Sequence, residues 1–179
     1  MKVILISGHA QNGKDTCADI FKGRLIHEGY RVLVCHYADL VKYICTTFFH
    51  WNGLKDHQGR ALLQHIGTDV IREQQPDYWV NFIIDMLTFF GDEWDYAIIP
   101  DTRFHNEVER IKEKFDAVHL RVERKHFKSP LSTEQQNHPS ETALDGCKPD
   151  ELIHNDGDLN DLREKIDKLI LEVLQPWVK

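Results

Sequence analysis

The feature that most constrains this chain is a junction between two patterns. The apolar run "KVILIS" (2–7) stops at Gly8, and a second glycine, Gly13, stands directly before Lys14. A continuous apolar run closed by glycine reads as a strand buried on both faces. From Gly13 the pattern turns helical, with Ala18, Phe21 and Leu25 on one stripe, and it ends near Gly29. Gly8 to Lys14 therefore spell G-x-x-x-x-G-K between a strand and a helix, the setting in which that spacing wraps a phosphate. Successive backbone N–H groups, among them those of Gly8, Ala10, Asn12 and Gly13, surround the anion. The glycines let the backbone approach, and the helix N-terminus adds positive potential. Lys14 is placed to reach the outer phosphates.

One position departs from the usual pattern. Asp15 stands where a hydroxyl is common, and the hydroxyl moves on by one, to Thr16. G-K-x-[ST] is also how many nucleoside monophosphate kinases are written, with the shifted hydroxyl on the nucleotide phosphates. Asp15 then either orients magnesium-bound water or caps the helix, and both readings stay open.

Strand and helix patterns alternate along the rest of the chain. "RVLVCHY" (31–37) reads as a second buried strand, followed by helical stretches at about 39–50, 58–74 and 77–90. "DYAIIPD" (95–101) is a third strand, "NEVERIKEKF" a helix, and "AVHLRVE" (117–123) a fourth strand. Residues 124–149 are polar, contain three prolines and lack lasting periodicity, so this long connection is either functional or disordered. "ELIHN" gives a fifth strand. A terminal amphipathic helix follows, with Leu162, Ile166, Leu169, Ile170 and Val173 turned inward. The expectation is a three-layer α/β fold: one domain, 1–179, with a mostly parallel five-stranded sheet covered on both faces.

Composition narrows the partners. A formal charge of −7 argues against a nucleic-acid polymer, which needs a clustered cationic surface, but not against a nucleotide. Cys17, Cys35, Cys45 and Cys147 show neither a CxxC pair nor metal-ligand spacing, so reduced thiols in a cytoplasmic protein are expected. No stretch approaches transmembrane length, and the first apolar run is too short for a signal-peptide core.

The third strand ends in "IIPDTRFHNEVE". Asp101 sits where a phosphate-loop protein places a second carboxylate, one that holds magnesium directly or through water. The alternative is a cap on the helix that begins near Asn106. Arg103 lies at the carboxyl edge of the sheet, where ligands collect in open α/β folds. Its alternative is an ion pair with Glu107.

Taken together, "GHAQNGKDT", "IIPDTRFHNEVE", "LLQHIGTDVIREQQPDYWV" and "HPSETALD" resemble segments of the deoxynucleoside monophosphate kinases of bacteriophages and their bacterial relatives. The matches keep their order over most of the chain. Asp69 follows "GT" where that family often has glutamate. The resemblance implies transfer of a phosphoryl group from ATP, with Mg2+, to a (deoxy)nucleoside monophosphate. It also implies an adenylate-kinase-like core in which inserted helices (39–90) receive the acceptor and a mobile lid (124–149) closes over ATP. A homodimer is left open.

Phosphoryl transfer between two polyanions needs positioning and charge neutralisation more than covalent help. Arg72 is the leading candidate for the acceptor phosphate, because a guanidinium binds it bidentately and stays charged. Thr68 and Gln64 lie one and two helical turns away on the same face. Asp39 and Lys42 are either an i, i+3 surface pair or sugar and phosphate contacts. Trp79 either stacks on a base or belongs to the core. Arg121, Arg124, Lys125 and Lys128 form a basic run that is either a solvated face or, through Arg124, a lid contact to a triphosphate. His138, Ser140 and Glu141 are adjacent in sequence and lack partner ligands, so neither a nucleophilic triad nor a metal site is expected; lid ordering or substrate contact is. Asn155 and Gly157 mark a turn near where adenine lies in related kinases. Competing readings are a kinase for dephospho-coenzyme A or phosphomevalonate, and a non-catalytic nucleotide-binding module. The module would generally carry an N-K-x-D motif, which is absent.

Overall fold

The computed structural model describes residues 1–172. Five strands form one all-parallel sheet: β1 (Lys2–Ser7), β2 (Val32–Val34), β3 (Tyr96–Ile99), β4 (Asp116–Glu123) and β5 (Glu151–His154), in the order β2-β3-β1-β4-β5. The run at 2–7 is central, in register with Tyr96–Ile99 on one side and Asp116–Arg121 on the other. Val3 to Ile6 are wholly buried, as its unbroken apolar composition requires. The second strand is shorter than its sequence suggests. Only 32–34 pair, and as an edge strand they are half-buried.

Helices cover both faces. On one side α1 (Lys14–His27) and α8 (Leu159–Glu172) pack Cys17, Phe21, Leu25, Leu162 and Ile166 against Ile4, Ile6, Ile98 and Leu120. The expected position of Val173 in this helix lies outside the described residues. On the other side are α2 (Ala38–Phe49), α4 (Tyr78–Phe89) and α5 (His105–Lys114), whose Val41, Cys45, Val80, Ile83, Leu87, Val108 and Ile111 meet Val3, Leu5, Ala97 and Ile99. This is the expected three-layer α/β architecture.

The stretch expected as one helix over 58–74 changes geometry partway. α3 (His57–Gln64) starts on the Asp56 carboxylate, which accepts the Gly59 N–H at 2.8 Å, and it passes into wide π-helical turns over His65–Arg72. Such turns are rare and gather at functional sites.

Residues 124–149 are more ordered than their composition suggested. They contain two one-turn helices, α6 (Thr133–Gln136) and α7 (Pro139–Thr142). Arg121 on β4 holds the end of the segment, donating to the Leu144 carbonyl and to Asp145, each at 2.7 Å.

Candidate active site

Strand β1 delivers the glycine loop to the carboxyl edge of the sheet. At Gly8 (φ 136°) a Cβ would lie 2.3 Å from the Val122 carbonyl oxygen, so only glycine lets the loop turn this close to β4. Asn12 fastens the same place, its Nδ2 donating to Val122 O at 3.3 Å. Gly13 (φ 97°) precedes α1, and a Cβ there would meet Asn155 Nδ2 at 2.4 Å. That amide donates to Asn12 O at 2.9 Å, so the turn after β5 braces the loop from behind.

Lys14 is buried and folded back on its own loop, with Nζ donating to the carbonyls of Gly8 (2.8 Å) and His9 (2.9 Å). Burial, helped by the nearby Arg103 charge, pulls its pKa down to about 8. In front of the loop lies a cleft of about 330 Å³. Its lining includes Ala10, Lys14, Asp15, Asp101, Arg103 and Glu141 together with Lys42, Gln64, Thr68 and Arg72. The expected common face of Gln64, Thr68 and Arg72 is therefore presented to one cavity. Arg60 extends the same spacing of four and was legible in the sequence, as was Lys55 at the rim; the sequence reading named neither.

The cations do not stand free. Arg103 donates to Ser140 O at 2.6 Å and pairs with the Glu141 carboxylate, whose other oxygen accepts the Ala10 N–H at 2.9 Å. Burial opposes ionisation of Glu141, but Arg103 and the Ala10 N–H outweigh it and hold its pKa below the usual range. The alternative pairing of Arg103 with Glu107 involves only its backbone N–H, at 2.7 Å.

Arg72 is more confined than a solvated helix arginine. Its guanidinium lies 3.8 Å from the Phe104 ring centroid, pairs with buried Glu107, and donates to Asn106 Oδ1 (3.0 Å) and Pro76 O (3.1 Å). Burial pushes Glu107 up to about 7, while Arg72 and two backbone N–H groups pull it back. Its Nε has no partner among the described residues.

Asp101 caps a helix other than the one expected. Its two oxygens accept the N–H groups of Tyr37 (3.0 Å) and Ala38 (2.9 Å), at the start of α2. Asp15 is exposed and meets His36 at 3.4 Å; that hydrogen bond lowers its pKa and raises the imidazole's. His36 follows β2 in "CHYAD" and was missed by the sequence reading.

Several expected ligands lie elsewhere. Thr16 lines a separate groove between α1 and the start of α8, with Asp19, Gly23, Leu159 and Arg163. Arg124 is not among the cleft's lining residues; its guanidinium lies 4.8 Å from the Phe127 ring centroid. Asp39 and Lys42 form the ion pair, at 2.8 Å, with Lys42 alone reaching the cleft wall. Trp79 is mostly a core residue, 3% exposed, whose Nε1 donates to Gly67 O at 2.8 Å, and it still contributes to the wall of the cleft. His138 caps α7, bonds Ser140 Oγ at 2.8 Å and reaches Asp69 at 3.2 Å, tying that short helix to the π-helical turns. Gly157 sits against Asp161, where a Cβ would lie 2.0 Å from its carboxylate. Among the described residues no group of three His, Cys, Asp or Glu converges on a metal site, and no helix is long and apolar enough to cross a membrane.

Comparison with known proteins agrees with this geometry. The solved structures of the Mycobacterium tuberculosis APS kinase CysC in complex with AMPPNP and APS (TM-score 0.53, 11% identity, 96% of this chain and 98% of that one) and of APE1195 (TM-score 0.52, 17% identity, 97% and 96%) share the fold. The deoxynucleotide monophosphate kinase of Enterobacteria phage T4 is 35% identical over 126 residues, covering 69% of this chain and 49% of that protein. Its counterpart from Escherichia phage RB69 is 32% identical over 113 residues, covering 62% and 44%. The chain thus matches about half the length of these relatives. The family model for deoxynucleotide monophosphate kinase matches residues 21–166, which begin after the glycine loop. On that match, the chain belongs to the deoxynucleotide monophosphate kinase family.

Proposed function

We propose that this protein transfers the γ-phosphoryl group of ATP to a deoxynucleoside monophosphate, giving ADP and the diphosphate. The observation that carries this reading is one cleft lined both by the glycine loop with Lys14 and Arg103 and by the Gln64–Thr68–Arg72 face. Several cations gathered on one small cavity suit a transfer between two nucleotides. An acceptor phosphate oxygen is already ionised and needs no base, so the side chains have only to align and neutralise. Lys14 and Arg103 would meet the migrating group; Arg72, packed on Phe104, would fix the acceptor phosphate through its unpartnered Nε. The helices from 39 to 90 would form the acceptor side and 124–149 the lid of a single kinase domain.

Magnesium supplies charge neutralisation of the phosphates when bound. The exposed Asp15 carboxylate fits that ion. Asp101 fits it through water, since both its oxygens already take backbone N–H groups. Thr16, facing another groove, does not fit. The thiols of Cys17, Cys35, Cys45 and Cys147 are free, which suits the cytoplasm.

The test is an assay of ATP with a panel of deoxynucleoside monophosphates, scored for ADP and for diphosphate. A diphosphate product supports the reading. Product only with dephospho-coenzyme A or phosphomevalonate would move the acceptor, and binding of ATP with no product from any acceptor would leave a nucleotide-binding module.

A further inference from the structure

Gln135 lines the cleft from α6, as do Leu63, Gln64 and Leu131 from neighbouring segments, and is only 7% exposed. Its amide has one satisfied end. Oε1 accepts the Ser132 N–H at 3.3 Å, while Ser132 Oγ accepts the Gln135 N–H at 3.2 Å, a reciprocal cap on the short helix. That cap settles the amide's orientation. Turned over, Nε2 would face the Ser132 N–H, donor against donor. Nε2 is thus aimed away from the cap, and it has no hydrogen-bond partner among the described residues. A buried donor left unmade is costly, and such groups in a binding cavity are normally completed by a ligand.

The chemistry of the missing partner follows from the surroundings. Phosphates go to the charged groups, Lys14, Arg103 and Arg72, whereas Gln135 offers a neutral, directional donor in a cleft whose lining also includes Leu63 and Leu131. A neutral acceptor atom on an otherwise flat apolar ring matches it. We propose that Gln135 is a specificity-determining residue whose Nε2–H donates to a ring carbonyl oxygen of the acceptor's base. A base presenting an amino group at that place meets donor with donor and is disfavoured. This inference rests on the nucleoside monophosphate reading above and adds to it a named residue and the atom that residue reads. Water does not reach Nε2 in this conformation, so entry of the base displaces what covers it, and α6 moves with the polar segment that carries it.

The test compares acceptors that differ by one oxygen: dGMP against its analogue lacking O6 (2-aminopurine deoxynucleotide), and dTMP against its analogue lacking O4. In the wild-type protein, kcat/KM for the carbonyl member of at least one pair is expected to exceed its analogue by about tenfold or more, since a site built around a hydrogen bond rejects the ligand that lacks it. Gln135→Glu keeps an oxygen for the Ser132 N–H but has no donor, and Gln135→Met removes both; thermal unfolding shows that each is folded. Both are expected to bring that ratio towards one. A wild-type ratio near one overturns the proposal, as does an undiminished ratio in both folded variants, and in either case diphosphate formation leaves the kinase reading standing. A folded wild-type protein inert towards every monophosphate overturns both.

Discussion

Glu141 takes the backbone N–H of Ala10 at 2.9 Å, so a carboxylate from the polar segment occupies a donor of the glycine loop while it pairs with Arg103. Under the proposed function, an incoming triphosphate would compete with that carboxylate for the same groups. Glu141→Gln is expected to tighten ATP binding several-fold and to lower kcat by about tenfold, because Arg103 is then less firmly placed for charge that builds up in transfer. Titration with ATP alone, beside steady-state kinetics, separates the two effects. Weaker ATP binding in the variant would show that Glu141 supports the nucleotide rather than competing with it.

Lys14 carries two expectations. Lys14→Ala removes an electrostatic contact to the transferred group and is expected to cost roughly 2.7–4 kcal/mol of transition-state stabilisation with the fold intact. In the free protein its pKa is about 8, and the charged form is the one that binds phosphate. The kcat/KM for ATP is therefore expected to fall as pH rises through about 8, since this parameter follows the free enzyme. A profile flat from pH 7 to 9 would remove Lys14 from that role.

Arg72 and Glu107 form a buried pair, 10% and 2% exposed at their side chains. Arg72→Ala strands the carboxylate and is expected to cost roughly 3–5 kcal/mol of stability, read by urea unfolding, with part recovered by adding Glu107→Gln. Acceptor affinity is better read in Arg72→Lys, which keeps a charge but loses the planar fork. There the KM for the monophosphate is expected to rise while ATP affinity holds. Equal loss of both nucleotides would misplace the acceptor site.

His119 lies inside the sheet against Ser7 Oγ at 2.7 Å, with Nδ1 unpaired, and burial lowers its pKa to about 4. The folded chain therefore refuses a proton that the unfolded chain accepts from about pH 6.5 downwards. Stability is present above that pH and is expected to fall by roughly 3 kcal/mol between pH 6.5 and 4 from this group alone. His119→Gln is expected to flatten the urea midpoint's decline over that window relative to wild type. Parallel declines would acquit the imidazole.

Much of this was legible because local patterns reported local structure. The run at 2–7, its two glycines and Lys14 describe a strand, a turn and a helix without help from distant residues. The face of Gln64, Thr68 and Arg72 was readable for the same reason. What lay hidden depended on partners far along the chain. Glu107 confines Arg72 from 35 residues away, Asp101 caps α2 from 63 residues away, and Gly67 takes the indole N–H of Trp79. Gln135 was invisible because a one-turn helix has no period to detect, and only burial makes its unpaired amide conspicuous.

Strand β1 is flanked by β3 and β4, neither of which adjoins it in sequence. During vectorial synthesis, which proceeds from the N-terminus, the glycine loop has no finished strand to lean on until residues up to Glu123 have emerged, because Val122 supplies the carbonyl against which Gly8 turns. A nascent chain halted before β4 would carry an apolar strand with an open edge, the kind of surface that recruits other chains. The glycine loop is thus expected to reach its final shape late, although it emerges well before the strand that shapes it.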